Sequence, residues 1–83
     1  MERRRIRLNG IVQGVGFRPF VYQLATELEL SGFVRNDAHG LLIEVQGPAK
    51  RLDDFYTRLL RQRPALARID RHRSTTLNVQ KPN

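Results

Sequence analysis

The chain has 83 residues, no cysteine and a formal net charge of +7 at pH 7, with thirteen arginines among its fifteen cationic residues. So short a chain buries only somewhat more than ~60% of its unfolded surface, which allows one domain with a modest core. The lack of cysteine excludes a disulfide framework and a thiolate metal site, and no apolar run approaches the ~20 residues that cross a membrane.

The first half of the chain predicts a strand followed by a helix. Residues 5–12 alternate in the manner of a strand, with Ile6 and Leu8 on one side. From Phe20 to Leu30 the apolar residues recur at helical spacing, opposite a polar face. Ser31-Gly32 is expected to end this helix, because glycine is the usual left-handed cap.

The second half predicts a hairpin, a second helix and a final strand. Two short strands flank a turn that contains glycine, which is typical of a β-hairpin. The helix shows an apolar stripe and ends at Arg63-Pro64. The predicted bounds are 33–36 and 41–46 for the strands, 37–40 for the turn, 49–62 for the helix, and 68–80 for the final strand, with room for a short strand after it.

The predicted order is therefore β-α-β-β-α-β within a single domain over residues 1–83. This order is typical of an α+β ferredoxin-like sandwich, in which two helices cover one face of an antiparallel sheet. The basic N-terminal segment is not followed by an apolar stretch, so no secretory signal is expected. A small domain without disulfides fits a reducing compartment, and we expect a cytoplasmic location.

The junction between the first strand and the first helix predicts an anion site. Gly14 and Gly16 permit backbone angles that let successive N–H groups converge and a ligand approach closely. The positive end of the helix dipole points at the same place. Arg18 adds a planar guanidinium that matches two phosphate oxygens. Pro19 is expected to keep Arg18 out of helical angles and hold it at the mouth of the loop.

Other glycine-rich phosphate sites do not fit these residues. A Walker A loop ends in Gly-Lys-Ser/Thr, and a dinucleotide fingerprint needs a third glycine where Pro19 stands. A tight turn with a surface Arg18 remains an alternative on the pattern alone. Asn36, at the end of the second strand, is either an ordinary turn residue or an amide that holds and aims a water molecule.

The chain resembles the acylphosphatase family over nearly its whole length. The residues that carry the resemblance are the loop 12–18, the segment 32–36, Gly40 and Glu44. A finer resemblance, in segments 18–21, 36–37 and 64–70, is to the N-terminal acylphosphatase-like domain of HypF carbamoyltransferases. Those large proteins mature nickel–iron hydrogenases and use carbamoyl phosphate.

The resemblance implies a hydrolase that converts an acyl phosphate and water to a carboxylate and phosphate, without a metal or a cofactor. Carbamoyl phosphate is the substrate implied by the HypF branch, with the remaining domains of a larger carbamoyltransferase as partners. Arg18 would bind the phosphate and Asn36 would position the water. The phosphate-binding residues implied are Gly14, Val15, Gly16, Phe17 and Arg18.

Two other functions stay open at this point. The same fold with a surplus of positive charge is compatible with a module that binds RNA or another anion without catalysis. RNA is not expected, because such binders stack bases on sheet aromatics and Phe33 is the clear strand aromatic here. An inactive regulatory domain is the other alternative. His39 and His72 are expected to be solvated surface residues.

Overall fold

Two helices and four strands follow one another in the predicted order in the computed structural model, which describes residues 1–78. This confirms the α+β ferredoxin-like arrangement. The elements are β1 Glu2–Ile11, α1 Phe17–Glu27, β2 Ser31–Asp37, β3 Gly40–Gly47, α2 Ala49–Arg61 and β4 Arg68–Leu77.

The strands form one antiparallel sheet in the order β2-β3-β1-β4. Both β1 and β2 are antiparallel to β3, so these two strands run in the same direction and end at the same edge. Residues directly opposite each other on neighbouring antiparallel strands point to the same face. Ile6 faces Ile43, and Leu8 faces Leu41, so these rows define the helix side of the sheet, against which the two helices pack.

The core lies between this helix side and the two helices. Its members are apolar residues that are at most 9% exposed, and each fully buried large side chain contributes roughly 1.5–3 kcal/mol. The helices supply Phe17, Val21, Leu24, Leu52, Phe55 and Leu59 to it. The opposite face of the sheet, called the open face below, carries the side chains that alternate with the core rows.

The start of α1 differs from the prediction. The helix begins at Phe17, so Arg18 is its second residue and Pro19 its third. The expectation that Pro19 keeps Arg18 out of the helix is therefore wrong. The first turn of a helix has no partners for its N–H groups, so a proline costs no hydrogen bond there. The N-cap is Gly16, in the left-handed region at φ 79°.

The end of α1 also differs, because Gly32 is not its cap. The helix ends at Glu27, and Glu29 takes the left-handed position at φ 55°. The N–H of Leu30 donates to the Ala25 carbonyl at 2.8 Å, and that of Glu29 donates to the Thr26 carbonyl at 3.1 Å. This is the Schellman pattern that satisfies the last carbonyls of a helix. Gly32 instead lies within β2, where a side chain would collide with the β3 backbone.

The hairpin, α2 and the start of β4 lie close to their predicted bounds. The turn between β2 and β3 comprises Ala38 and His39, and α2 is one residue shorter than expected. β4 ends at Leu77, and the predicted continuation to residue 80 and the short strand after it fall outside residues 1–78. Within that range neither helix has the length and apolar character needed to cross a bilayer.

Candidate active site

The loop between β1 and α1 is anchored in the core at both ends. Val12 and Phe17 are 3% and 1% exposed, and Val15 is half-buried between them. Gly14 and Gly16 are exposed and adopt φ 72° and 79°, which residues with a side chain rarely do. Apart from the chain neighbours, no heavy atom lies within 4 Å of the place that a Cβ atom would take at either glycine. The backbone of this loop is therefore open to a ligand.

The N–H groups of this loop are available to an anion. The first helical hydrogen bond of α1 runs from the N–H of Phe20 to the Gly16 carbonyl at 3.3 Å. The N–H groups of Gly14 to Arg18 donate to no residue in the described range 1–78. Unpaired N–H groups at a helix N-terminus favour a phosphate, because the helix dipole adds positive potential there.

Arg18 follows directly on these N–H groups in the chain. As the second residue of α1 it is exposed, whereas Phe17 before it is buried. Its side chain makes no ion pair with any residue in 1–78. A free, planar cation at the end of an anion-binding loop can take two phosphate oxygens at once.

Asn36 lies at the same edge of the sheet and on its helix side. It pairs with Leu41, which pairs with Leu8, so the three residues form one row. Because Leu8 and Leu41 point into the core, Asn36 points to the side on which the loop and α1 lie. Two strand spacings separate Asn36 from β1, about 10 Å. The register thus places Asn36, eighteen residues after Arg18 in the chain, on the side of the sheet where the loop lies.

The amide of Asn36 has an unused oxygen. Its Oδ1 atom is buried and accepts no hydrogen bond from any residue in 1–78. A buried carbonyl oxygen without a partner costs free energy comparable to a lost hydrogen bond. A water or ligand donor next to Asn36 would remove this cost.

β1 holds the turn that follows Asn36. Asp37 Oδ1 accepts hydrogen bonds from Arg7 Nη1 at 2.6 Å and from the His39 N–H at 2.8 Å. Asn9 donates to the His39 carbonyl. The bond from Arg7, followed by that from the His39 N–H, holds the pKa of Asp37 below its ordinary value. The sequence alone did not predict these contacts of β1 with the turn. The signal for them in the sequence is Asp37, a residue type that is common in turns.

The two histidines have surroundings that differ from one another. His39 is exposed in the hairpin turn, as expected. His72 is also exposed, yet its Nδ1 contacts the Tyr56 hydroxyl on the helix side of β4. Burial raises the pKa of Tyr56 above its ordinary value. Within residues 1–78, His, Cys, Asp and Glu side chains form no group of three that could hold a metal ion.

The comparisons with known proteins decide the family. The acylphosphatase family model matches residues 4–83. The chain belongs to the acylphosphatase family. Among free-standing members it is 44% identical over 70 residues to the acylphosphatase of Koribacter versatilis, covering 83% of this chain and 63% of that protein. The crystal structure of the Bacillus subtilis acylphosphatase aligns with a TM-score of 0.89 at 30% identity, over 98% of this chain and 90% of that one.

This acylphosphatase domain is also homologous to part of the HypF carbamoyltransferases. It is 60% identical over 68 residues to the carbamoyltransferase HypF2 of Cupriavidus necator, covering 82% of this chain and 8% of that protein. A crystal structure of full-length HypF in a phosphate- and nucleotide-bound form aligns with a TM-score of 0.93 at 40% identity, over 96% of this chain and 11% of that one. The chain thus spans about a tenth of the length of these relatives.

Proposed function

We propose that the chain hydrolyses acyl phosphates at the junction of β1 and α1. The observation that carries the proposal is an open N–H loop that leads into Arg18, with the unpartnered amide of Asn36 on the side of the sheet where this loop lies. Arg18 and the N–H groups of residues 14–18 bind the phosphate. Asn36 holds the attacking water. Membership of the acylphosphatase family supports this assignment.

The reaction needs little beyond this arrangement. The water oxygen attacks phosphorus, the bond from phosphorus to the acyl oxygen breaks, and the carboxylate leaves with the bond's electron pair. A carboxylate is a good leaving group, so no strong general acid is required, and a phosphate oxygen takes the proton of the water. Catalysis then rests on positioning and charge stabilisation, as is typical of phosphoryl transfer.

Carbamoyl phosphate is the substrate that we propose within this class. The support is the 60% identity to a HypF carbamoyltransferase. The products would be carbamate and phosphate, in the course of nickel–iron hydrogenase maturation. A cytoplasmic location belongs to the same proposal, since the sequence has no cysteine to oxidise.

The test is phosphate release from acetyl, benzoyl and carbamoyl phosphate, measured side by side. We expect release from all three, with the highest kcat/KM for carbamoyl phosphate. Arg18→Ala should lower kcat/KM by ~10²–10³, the usual cost of one well-placed donor. Arg61→Ala, at an exposed arginine on α2, is the matched control and should change it less than about twofold.

Two results would contradict parts of this proposal separately. Release of phosphate from acetyl and benzoyl phosphate, but not from carbamoyl phosphate, would reject carbamoyl phosphate as the substrate and still support acyl phosphate hydrolysis. Binding of carbamoyl phosphate without release of phosphate from any of the three substrates would indicate an anion-binding module and not a hydrolase.

The proposed mechanism uses no metal ion, so it predicts that EDTA leaves the rate of phosphate release unchanged. A rate that EDTA abolishes and Mg²⁺ restores would contradict it.

A further inference from the structure

The open face of the sheet has an unusual concentration of arginine. The pairing registers place seven arginines there, and three carboxylates lie among them, those of Asp37, Glu44 and Asp70. This gives the face a formal surplus of four positive charges, more than half of the +7 of the whole chain. The seven are Arg3, Arg5 and Arg7 of β1, Arg35 of β2, and Arg68, Arg71 and Arg73 of β4. Of the β4 arginines, Arg68 is paired with Asp70 at 2.9 Å.

The arginines of β1 are bound to carboxylates of the chain itself. Glu44 lies between Arg3 and Arg5, which donate to its two oxygens at 3.0 and 3.1 Å. Glu44 is only 7% exposed. Arg7 donates to Asp37 at 2.6 Å. The carboxylates on this face are thus already taken by guanidinium groups that point along it.

The other three arginines have no such partner. Arg35, Arg71 and Arg73 are exposed, and no carboxylate of residues 1–78 pairs with them. Arg73 moreover lies directly opposite Arg7 on the neighbouring strand. Like charges at directly opposed positions destabilise a sheet. Because Arg7 is already paired with Asp37, Arg73 has no carboxylate of the described residues to itself, which points to a use outside the chain.

A broad depression lies next to these arginines on the open face. Its volume is about 900 Å³, and its lining includes Arg5, Arg7, Arg71 and Arg73, with Asp70 as the one carboxylate among the described lining residues. It lies between β1, β4 and the hairpin turn, on the face opposite to that of Asn36. An occupant of the open face would therefore leave the phosphate loop accessible.

We propose that the open face is a docking surface for a partner protein that presents a cluster of carboxylates. Arg71 and Arg73 would bind carboxylates of that partner, as Arg3 and Arg5 bind Glu44 within the chain. Arginine suits this role, because its fork pairs with a carboxylate through two parallel hydrogen bonds. This inference is independent of the proposed hydrolase activity, whose residues lie on the helix side and in the loop.

A nucleic acid fits the same face less well. Binders of single-stranded RNA stack bases on exposed aromatic rings of the sheet. The large ring exposed on this face is Phe33, at 42%, and the guanidinium of Arg35 already lies over it at 5.6 Å.

The test compares two acidic polymers against two matched double variants. Fluorescent poly-L-glutamate and fluorescent polyuridylate are titrated with the full chain at about 50 mM NaCl, where screening is weak. The first variant is Arg71→Gln with Arg73→Gln. The second is Lys50→Gln with Arg61→Gln, which removes the same charge from exposed positions on α2 that have no carboxylate partner in the described structure. Circular dichroism verifies that each variant is folded.

We expect poly-L-glutamate to bind the native chain and to bind the Arg71/Arg73 variant about tenfold more weakly, which corresponds to roughly 0.7 kcal/mol for each arginine. The Lys50/Arg61 variant should lose less than about twofold. Arg73→Gln alone should raise the midpoint of thermal unfolding, because it removes the opposed charge.

Three results would overturn the docking surface. If both double variants bind poly-L-glutamate more weakly by the same factor, the binding depends on the net charge of the chain and not on Arg71 and Arg73. Tighter binding of polyuridylate than of poly-L-glutamate, lost in the Arg71/Arg73 variant, would make the face a nucleic-acid site. A failure of poly-L-glutamate to bind the native chain would reject the open face as a docking surface for carboxylates.

Discussion

Arg18 and Asn36 differ in burial, and the difference fits different tasks. Arg18 is exposed at the start of α1, where its side chain can close over a ligand. Asn36 is half-buried, fixed between a core row and a turn that Arg7 and Asn9 hold. A mobile cation suits binding of the phosphate, whereas a fixed amide suits placement of one water molecule.

For Arg18 we predict that charge alone recovers part of the activity. Arg18→Lys keeps a cation but loses the planar fork, so its kcat/KM for benzoyl phosphate should lie between those of the native chain and Arg18→Ala. The Ala variant should show a raised KM, because the phosphate is bound in the ground state too. Steady-state phosphate release measures both values. Equal rates for the Lys and Ala variants would contradict the role of the charge.

For Asn36 we predict lost turnover without lost stability. Asn36→Ala should lower kcat by ~10²–10³ while KM changes less than about threefold, since the amide contacts water and not phosphate. The same change removes a buried oxygen that has no partner within residues 1–78, so the free energy of unfolding should not fall.

The control for this prediction is thermal unfolding of the Asn36→Ala protein beside the native chain. A midpoint that falls along with kcat would mean that Asn36 holds the fold together and that its effect on turnover is indirect. Full activity in the Asn36→Ala protein would instead reject the water-positioning role.

At the scale of the elements, periodicity predicted the types and the order, and the caps caused the errors. The apolar spacing placed both helices and the hairpin near their observed bounds because that spacing reflects which side is buried. α1 begins at Phe17, after an N-cap at Gly16 that depends on backbone conformation and has no side-chain cap. Its C-terminal turn closes at Glu29, a residue type that seldom takes a φ of 55°. Neither feature corresponds to a pattern of residue types that marks a helix end.

The cap at Glu29 predicts a stabilising substitution. Glu29→Gly should raise the free energy of unfolding by up to ~1 kcal/mol, because glycine adopts the left-handed position without strain. The ion pair of Glu29 with Arg51 is long, at 3.8 Å, and both side chains are largely exposed, so its loss should matter little. Urea unfolding measures the change.

The matched control for this cap is Glu29→Ala. It removes the same carboxylate but keeps a side chain in the left-handed position, so it should give no gain. A gain of equal size in both variants would show that the charge, and not the backbone angle, limits stability at this position.

At the scale of the whole molecule, the residues of the candidate site can be picked out in the sequence, whereas the contacts that support the hairpin turn cannot. The loop and Arg18 are contiguous in sequence, and Asn36 precedes a recognisable hairpin turn. The contacts of Arg7 and Asn9 with that turn arise because both residues lie on β1 and its partner strand brings the turn beside them. The opposition of Arg7 and Arg73 likewise depends on β4 joining the far edge of β1.

Acid should destabilise the whole fold through the carboxylates of the open face. Burial alone would raise the pKa of Glu44, but hydrogen bonds from Arg3 and Arg5 outweigh it and lower that pKa. The pKa of Asp37 is lowered as well. Groups with lowered folded-state pKa values stabilise the protein above their unfolded values, and this contribution is lost as the pH falls through the folded ones.

The free energy of unfolding should therefore fall from about pH 5 downward and be smaller at about pH 3. Urea unfolding at several pH values measures the slope. Glu44→Gln should be less stable than the native chain at pH 7, by roughly 1–2 kcal/mol, because Arg3 and Arg5 lose their shared anion. It should also lose less stability on acidification. An unchanged slope in this variant would show that Glu44 does not carry the effect.

The central claim is that a water held at Asn36 attacks the phosphorus of an acyl phosphate bound at the loop. Hydrolysis of benzoyl phosphate in ¹⁸O-labelled water, followed by mass spectrometry of both products, tests it most directly. The predicted result is one labelled oxygen in the released phosphate and none in the benzoate, at a rate that Asn36→Ala removes. Label in the benzoate, or no release above the spontaneous rate, would contradict the claim.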